Sequence, residues 1–94
     1  MPFTYILASR PGGALYTGAA GDLRQRVRQH RAKAVSAHTA AYDIDRLVWF
    51  EQHDTIDEAR RREHSIKRWR RAWKDAPINE VNPDWDDLSS DIPI

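Results

Sequence analysis

Residues 3–18 read FTYILASRPGGALYTG, and this stretch decides how the fold begins. The run from Phe3 to Ala8 is rich in β-branched and aromatic residues, and a segment of turn-forming residues closes it. A second short run follows at once, so the pattern predicts a β-hairpin. Each strand carries one tyrosine, Tyr5 and Tyr16, and alternation places Gly18 on the Tyr16 face, where it leaves open space.

The segment after the hairpin predicts a helix. Asp22 is a suitable N-cap, and three apolar residues and a histidine recur at helical spacing, namely Leu23, Val27, His30 and Ala34. The remaining surface of this helix is cationic, because the segment after Asp22 contains no acid. It contains five bases, namely Arg24, Arg26, Arg28, Arg31 and Lys33. Arg26 and His30 share one side of the helix. Taken alone, His30 is best explained as a half-buried core histidine, and Arg26 as a surface residue.

The second half of the chain predicts one strand and one long helix. Residues 35–42 mix small and polar residues and are interpreted as a loop. The apolar run from Arg46 to Glu51 is typical of a central strand that is buried on both faces. Asp54 or Thr55 then caps a helix that reaches about Lys74, with acids in its first turn and bases in its last, as the helix dipole favours.

Prolines divide the residues that follow the long helix. Because Pro77, Pro83 and Pro93 interrupt helical hydrogen bonding, we expect one short helix around residues 78–81. An acidic end that frays should complete the chain.

Glu63 is the anomaly of the long helix. At about 100° per residue it lies within a broad apolar face that contains Ile56, Ala59, Ile66, Trp69 and Trp73. The ordinary interpretation is a carboxylate that pairs internally with an arginine, or one that lies in water at the helix margin. The alternative is a metal ligand or an acid-base group in a cleft. Without further information the ordinary interpretation is favoured.

Length and composition exclude several classes of protein. The 94 residues suit one domain, and a hydrophobic content of 40% argues against wholesale disorder. The absence of cysteine excludes a disulfide framework and cysteine-ligated zinc or iron–sulfur sites. No apolar run approaches the ~20 residues of a membrane helix, and the first residues lack the pattern of a secretion signal. We therefore expect a soluble, cytoplasmic protein that does not enter a membrane.

Charge is unevenly distributed, although the formal net charge is only +1. Residues 60–74 hold eight basic residues and one acid, whereas residues 75–94 hold six acids and no base. A polyanion could bind the first segment, while the second would be repelled by it or held against the body of the protein.

Taken in order, these residues resemble the GIY-YIG nuclease domain. The central matches are Thr4-Tyr5-Ile6, Tyr16-Thr17-Gly18, Arg26, His30 and Glu63. Further matches are Asp22-Leu23, Arg46-Leu47-Val48, Ala59, Arg62, Ile66-Lys67, Trp69, Asn82-Pro83, Trp85 and Leu88. The chain is similar to the small standalone bacterial branch of that family over nearly its whole length. Residues 1–88 are expected to form the nuclease-like domain, and residues 89–94 a short acidic tail.

The resemblance implies a compact α/β domain of the α+β type, with a three-stranded antiparallel sheet flanked by helices. It also implies a metal-dependent endonuclease that hydrolyses phosphodiester bonds in DNA, in repair or processing. In such a site Glu63 would hold one divalent cation, Mg²⁺ or Mn²⁺, which keeps several waters. The cation would polarise the scissile phosphate and stabilise the departing 3′ oxygen.

The resemblance also implies roles for the other site residues. A tyrosine hydroxyl would activate the attacking water, with Tyr5 the first choice and Tyr16 orienting water or phosphate. Arg26 would neutralise charge on the phosphoryl oxygens, and His30 would bind phosphate or help to move the proton. A tyrosine pKa near ~10 leaves the phenolate ~4 kcal/mol out of reach at neutral pH, so the surroundings of the tyrosine would have to favour the anion. Supporting positions are Gly18, Lys67 and Asn82, the last as a polar contact that braces the site.

Some residues depart from the family pattern. Phe3-Thr4 stand before Tyr5 in place of a glycine–isoleucine pair, and Thr17 stands in the middle of the second motif. Pro77 falls where a helix-forming apolar residue would be expected, which affects the last helix and the placement of Asn82. None of these departures removes a proposed catalytic group.

Substrate binding is expected along two basic faces, since Lys and Arg side chains follow phosphate backbones without reading sequence. For any one of these residues, a role in solubility alone explains the charge about as well as DNA binding does. The positions are Arg24, Arg28, Arg31, Lys33, Arg60, Arg61, Arg68, Arg70, Arg71 and Lys74. Without an appended reader module in the 94 residues, we expect choice by DNA structure, such as branched, flapped or single-stranded ends, or by a targeting protein partner.

Two further hypotheses stay open, and the oligomeric state is not indicated. The first is a catalytically weak nucleic-acid-binding module that keeps the fold and the basic faces. The second is a protein-interaction or oligomeric domain that uses the acidic tail with Trp69, Trp73 and Trp85. The self-association interface of such a domain would cover the cleft formed by the tyrosines and Glu63.

Overall fold

The computed structural model describes residues 1–93 and shows three strands and four helices in that range. In chain order the elements are β1 (Phe3–Ala8), β2 (Leu15–Ala20), α1 (Leu23–Arg31), α2 (Ala37–Ala41), β3 (Arg46–Gln52), α3 (Ile56–Lys67) and α4 (Arg71–Val81). A 3₁₀ turn, Ser89–Asp91, follows. The α+β fold class predicted from the sequence is confirmed.

The three strands form one antiparallel sheet in the order β2-β1-β3. The predicted hairpin is confirmed, and its register sets Tyr5 opposite Gly18 and Leu7 opposite Tyr16. The prediction that β3 is the central strand is wrong, because β1 pairs on both sides and β3 only with β1. An apolar run indicates that both faces of a strand are buried, but it does not show whether the strand lies at the centre or at the edge of the sheet.

Alternation along β1 divides the interior into two cores on opposite faces of the sheet. The α1 core contains Phe3, Tyr5, Leu7, Ala20, Leu23, Val27, Ile44, Leu47 and Ile92. The α3–α4 core contains Ile6, Ala8, Val48, Trp49, Ile66, Ile78 and Trp85. Each large apolar side chain buried in this way stabilises the fold by about 1.5–3 kcal/mol. The sheet is therefore held between α1 on one side and the pair α3 and α4 on the other.

Helix α1 begins as predicted and ends earlier than predicted. The Asp22 carboxylate accepts a hydrogen bond from the Gln25 amide at 3.0 Å. The helix ends at Arg31 rather than near residue 34, because Lys33 adopts a left-handed conformation with φ of 59°. The Lys33 and Ala34 amides then donate back to the carbonyls of His30 and Gln29, a Schellman-type ending that does not need glycine here.

The segment predicted to be a loop contains the short helix α2. Ser36 caps it, and the Ser36 hydroxyl accepts from the amides of His38 and Thr39 at 3.2 and 3.4 Å. The prediction of a loop over residues 35–42 is therefore wrong for Ala37–Ala41. Five residues are too few to show helical periodicity, so the capping serine was the only local signal.

The predicted long helix is two helices. Thr55 caps α3 as expected, with its hydroxyl accepting from the Glu58 amide at 3.2 Å, but α3 ends at Lys67 and α4 starts at Arg71. The Arg68 and Trp69 amides donate three residues back, to the carbonyls of Ser65 and Ile66, which tightens the end of α3. Arg70 then has an extended backbone, so α4 starts in a new direction.

Helix α4 also contains Pro77, which was predicted to interrupt the helix. The lost hydrogen bond is the one from residue 77 to the Trp73 carbonyl. Trp73 itself is 60% exposed, so this part of α4 lies at the surface. The short predicted helix over residues 78–81 is the last turn of α4, and its position depends on the whole helix.

The residues after α4 pack against the body of the protein. Ile92 is buried in the α1 core, and its carbonyl accepts from Arg24 Nη2 at 3.0 Å. Asp87 pairs with Arg31 at 2.7 Å. The expectation of a fraying end is therefore wrong for residues 89–92, while the division of the chain at residue 88 stays a prediction. Residue 94, part of the predicted tail, lies outside the described residues. None of the helices in residues 1–93 is both long enough and apolar enough to cross a membrane.

Candidate active site

Tyr5 lies at the centre of the candidate site. It occupies the middle of the central strand, is fully buried, and its hydroxyl lies 3.1 Å from His30 Nε2. The His30 ring meets the Tyr5 ring edge-on with a centroid distance of 6.0 Å. Residues that are 25 positions apart in the chain are thus brought into contact by packing α1 on the sheet.

Gly18 is required by the position of the Tyr5 ring. A Cβ atom at residue 18 would lie 2.5 Å from both Cζ and the hydroxyl oxygen of Tyr5, closer than real Cβ contacts allow. The open space beside this glycine, which the sequence predicted, is therefore filled by the tyrosine of the paired strand. Any side chain at residue 18 would move the hydroxyl.

Tyr16 completes an aromatic group with Tyr5 and His30. Its ring centroid lies 5.1 Å from that of His30 and 6.4 Å from that of Tyr5. Tyr16 is partly buried, whereas the other two rings are buried. Tyr16 is thus the ring of this group with the most access to solvent.

Arg26 and Glu63 lie close enough to Tyr5 to influence its ionisation. Burial raises the pKa of the Tyr5 hydroxyl well above its ordinary value, and the neighbouring Tyr16 adds to the rise. The Arg26 guanidinium opposes this by favouring the anion, while the Glu63 carboxylate raises the pKa further. Arg26 acts in the direction expected from the sequence, but burial outweighs it, so Tyr5 remains a neutral phenol at neutral pH.

His30 is the second buried titratable group. Burial lowers its pKa below the ordinary value, Arg26 lowers it further, and Asp45 opposes both. Its Nδ1 atom lies 3.2 Å from the hydroxyl oxygen of Thr39, so both ring nitrogens have a partner. Thr39 was not identified from the sequence. Its only signal was the serine cap three residues earlier, which indicates a helix but not a contact with α1.

Glu63 is held in an ion pair that remains open to solvent. Its carboxylate lies 2.6 Å from Lys67 Nζ, one turn later on α3; the side chain of Glu63 is 16% exposed and that of Lys67 is 50% exposed. The pairing expected from the ordinary interpretation is present, with a lysine in place of an arginine. Because the lysine is half exposed, the acid is not sealed inside the protein.

Few carboxylates surround the site. In residues 1–93 there is no group of three or more His, Asp or Glu side chains that could hold a metal ion together. This excludes an all-protein cage in that range. Glu63 is one carboxylate, and a site of one or two carboxylates with water is the kind that Mg²⁺ commonly uses.

The predicted basic faces lie on exposed parts of α1, α3 and α4. One groove is lined by Arg24, Arg28, Arg31, Ser89 and Ser90, and another by Asp57, Arg60, Arg61, His64 and Arg68. Some of these bases have internal partners: Lys33 pairs with Asp43, and Arg71 pairs with Asp75 and donates to the Gly13 carbonyl. Arg70 is exposed and Lys74 is partly buried.

Asn82 is the residue that ends α4. It is buried, and its amide donates to the Val48 carbonyl at 3.1 Å and to the Asp86 carbonyl at 2.9 Å. Its own carbonyl accepts from the Asp86 amide at 3.1 Å. Asn82 therefore braces the end of α4 against β3. Trp85 is 5% exposed and belongs to the α3–α4 core, so the expectation that it forms an interaction surface is wrong.

The chain is similar to proteins of one known family. The GIY-YIG catalytic domain family matches residues 1–77. A UPF0213 protein of Staphylococcus aureus is 36% identical over 78 residues, which cover 83% of this chain and 94% of that protein. A UPF0213 protein of Haloquadratum walsbyi is 41% identical over 61 residues, which cover 65% of this chain and 68% of that protein. The solution NMR structure of a UPF0213 protein of Bacillus halodurans matches with a TM-score of 0.56 and 25% identity, covering 94% of each chain. The resemblance seen in the sequence is confirmed.

Proposed function

We propose, from the premise that the chain belongs to the GIY-YIG family, that it is a metal-dependent endonuclease that hydrolyses phosphodiester bonds in DNA. Membership of this family implies nuclease-type chemistry. The observation that carries the proposal is the Tyr5 hydroxyl held 3.1 Å from His30 Nε2. A buried phenol with a basic nitrogen at hydrogen-bond distance can take a proton from water and pass its own proton on.

Arg26 and Tyr16 act on the phosphate in this proposal. The Arg26 guanidinium is always charged and influences the Tyr5 hydroxyl electrostatically, so a phosphate placed near that hydroxyl would also lie in the field of the guanidinium. The charge that builds on the phosphoryl oxygens would thereby be stabilised. Tyr16, the more accessible ring, would orient the water or a phosphate oxygen.

Glu63 would hold one divalent cation, Mg²⁺ or Mn²⁺. When bound, such a cation supplies charge stabilisation to the scissile phosphate and to the leaving 3′ oxygen. Glu63 has to exchange its contact with Lys67 for this role, which is feasible because the lysine side chain is half exposed. The released ammonium can then pair with a substrate phosphate, which gives Lys67 a supporting role.

DNA is the proposed substrate, bound along the basic faces of α1, α3 and α4. Backbone contacts of this kind add affinity that falls as salt rises, and they do not distinguish sequences. Selection would come from branched or single-stranded structure, or from a targeting partner. A role in DNA repair or processing, and the cytoplasmic location, stay predictions.

The test is a nuclease assay on supercoiled plasmid, single-stranded and branched DNA, with Mg²⁺, with Mn²⁺ and with EDTA. We expect metal-dependent cleavage that falls by about 10²–10⁴-fold in Tyr5→Phe, Arg26→Ala and Glu63→Gln. Glu58→Gln is the matched control, because Glu58 lies exposed in the first turn of the same helix. Cleavage that survives EDTA, or three variants that cut like the wild type, would contradict the proposal.

A second candidate is a nucleic-acid-binding module with weak catalysis. The close pair of Glu63 and Lys67 favours it, because this pair occupies the carboxylate that the cation needs. This candidate predicts salt-sensitive DNA binding that Glu63→Ala leaves unchanged, together with no metal-dependent nicking by the wild type. Electrophoretic mobility shift beside the nuclease assay separates the two candidates.

A further inference from the structure

We propose that Thr39 is a positioning residue, which fixes the tautomer of His30 so that His30 Nε2 can accept the proton of the Tyr5 hydroxyl. The proposal rests on the nuclease function proposed above and adds a residue from α2 to its site. One continuous series of hydrogen bonds connects Ser36 through Thr39 and His30 to Tyr5.

The first step concerns the Thr39 hydroxyl, which has one proton to donate. Its oxygen lies 3.2 Å from the Ser36 carbonyl, which can only accept, and the proposal assigns the Thr39 proton to that carbonyl. Thr39 is 2% exposed and is held in place because Ser36 caps the same short helix through the His38 and Thr39 amides. The lone pairs of the Thr39 oxygen are therefore left for another donor.

The second step concerns the His30 ring. Its Nδ1 atom lies 3.2 Å from the Thr39 oxygen. With the Thr39 proton assigned to the Ser36 carbonyl, this oxygen accepts, and Nδ1 carries the proton. Since His30 is buried and its pKa is lowered, the ring is neutral at neutral pH, and Nε2 then has a free lone pair. The Tyr5 hydroxyl at 3.1 Å is the donor that meets it.

The third step is the proton transfer that this arrangement permits. The attacking water gives a proton to the Tyr5 oxygen while the Tyr5 proton moves to His30 Nε2. The water oxygen forms its bond to phosphorus, the bond from phosphorus to the 3′ oxygen breaks, and the leaving oxygen takes a proton from solvent. The imidazolium then returns its extra proton to solvent. Tyr5 never has to exist as a free phenolate, which its raised pKa would make rare at neutral pH.

Charged groups on several elements influence this pair. Arg26 on α1 opposes a positive charge on His30, and Asp45 before β3 favours it. Glu63 on α3 opposes a negative charge on Tyr5. Together these groups favour a neutral tyrosine and a neutral histidine before the reaction, which is the state that the relay needs.

The test compares Thr39→Val, which keeps the shape and loses the hydroxyl, with Thr39→Ser, which keeps the hydroxyl and loses the methyl group. Nitrogen-15 NMR of the His30 ring in the free protein near neutral pH reports the tautomer without any nuclease assay. We expect the Nδ1-protonated form in the wild type and in Thr39→Ser, and its loss as the single form in Thr39→Val. An Nε2-protonated ring in the wild type overturns the proposal even if the variants do not fold.

The kinetic readout tests the proton acceptor. We expect kcat to fall by about tenfold or more in Thr39→Val with KM unchanged, and Thr39→Ser to restore most of it. The acidic limb of the pH profile should move to lower pH in Thr39→Val, because the imidazolium loses an acceptor for its Nδ1 proton. Equal rates and equal pH profiles for the two variants overturn the positioning role of Thr39. A wild type that cuts no DNA overturns the nuclease function, while the NMR result still decides whether Thr39 fixes the tautomer.

Discussion

The two faces of the sheet differ in what they bury. The α3–α4 face buries apolar side chains, two of them tryptophans, together with the hydroxyl of Thr4, which donates to the Ala59 carbonyl, whereas the α1 face buries the hydroxyl of Tyr5 next to the ring of His30. In residues 1–93 every buried side-chain nitrogen or oxygen has a hydrogen-bond partner, so these polar groups are satisfied rather than strained. The comparison shows that the α1 face of the sheet buries a hydrogen-bonded tyrosine–histidine pair, which has no counterpart among the residues of the α3–α4 core.

The largest expected effect comes from breaking the apolar face. Ile66→Ala removes a fully buried side chain between α3 and the sheet, so we expect the free energy of unfolding to fall by about 2–5 kcal/mol. Chemical denaturation measures the loss. If the faces divide as described, any folded Ile66→Ala protein keeps the Tyr5–His30 hydrogen bond, visible in the His30 ring resonances. Loss of that bond in folded protein would show that the two faces are not independent.

A smaller loss is expected on the other face from Gly18→Ala. The new methyl group would overlap the Tyr5 ring. Because the ring has to shift to make room, we expect the free energy of unfolding to fall by about 1–3 kcal/mol and the hydroxyl to be displaced. Gly21→Ala is the matched control, since a Cβ atom there meets nothing within 4 Å. Thermal unfolding of both variants measures the difference. Equal stability of the two variants would contradict the close packing of Tyr5 against β2.

The third prediction concerns how the free energy of unfolding depends on pH, through His30 on the α1 face of the sheet. The pKa of His30 is lowered in the folded protein relative to the ordinary value of 6.5, so below pH 6.5 the unfolded chain binds more protons. The free energy of unfolding is therefore highest above pH 6.5, where the His30 ring is neutral in both the folded and the unfolded state. It decreases as the pH falls from 6.5 toward the folded-state pKa, by at most about 1.4 kcal/mol per pH unit. Denaturation of the wild type and of His30→Gln between pH 5 and 8 measures it. A wild type with no steeper loss than His30→Gln would refute the buried neutral ring.

The smallest effect on stability is expected from Lys67→Ala at the edge of the site. The lysine side chain is half exposed, so its pair with Glu63 should contribute less than about 1 kcal/mol. The variant should, however, need less Mg²⁺ for half-maximal cleavage, because the carboxylate loses its competing cation. A metal titration of the nuclease activity measures this change. A higher Mg²⁺ requirement would show that Lys67 assists the cation rather than competing with it.

Local signals in the sequence were sufficient for much of the fold. The hairpin, the Asp22 and Thr55 caps and the inward side of α1 each depend on residues within one turn or one strand. Tyr5, Tyr16, Arg26, His30 and Glu63 were also chosen from the sequence, through the resemblance to the GIY-YIG family. Their catalytic roles stay predictions, although the structure places the two tyrosines and the histidine in one group.

Other features depend on contacts that are distant in the chain. The break between α3 and α4 lets both helices pack on one face of the sheet, and the edge position of β3 follows from pairing with β1. Thr39 had no signal that linked it to His30, because the contact exists only after α2 packs beside α1. These are the points at which the interpretation of the sequence was wrong or incomplete.

The sequence by itself determined where the hairpin, α1 and α3 begin and which residue types the site contains, since caps, alternation and turn residues act over a few positions. Only the tertiary structure decided that the Tyr5 hydroxyl faces His30 Nε2, that Thr39 meets the other nitrogen, and that Lys67 holds Glu63. Hydrogen bonds between elements depend on distances of a few ångströms. Those distances are set by how the helices pack on the sheet.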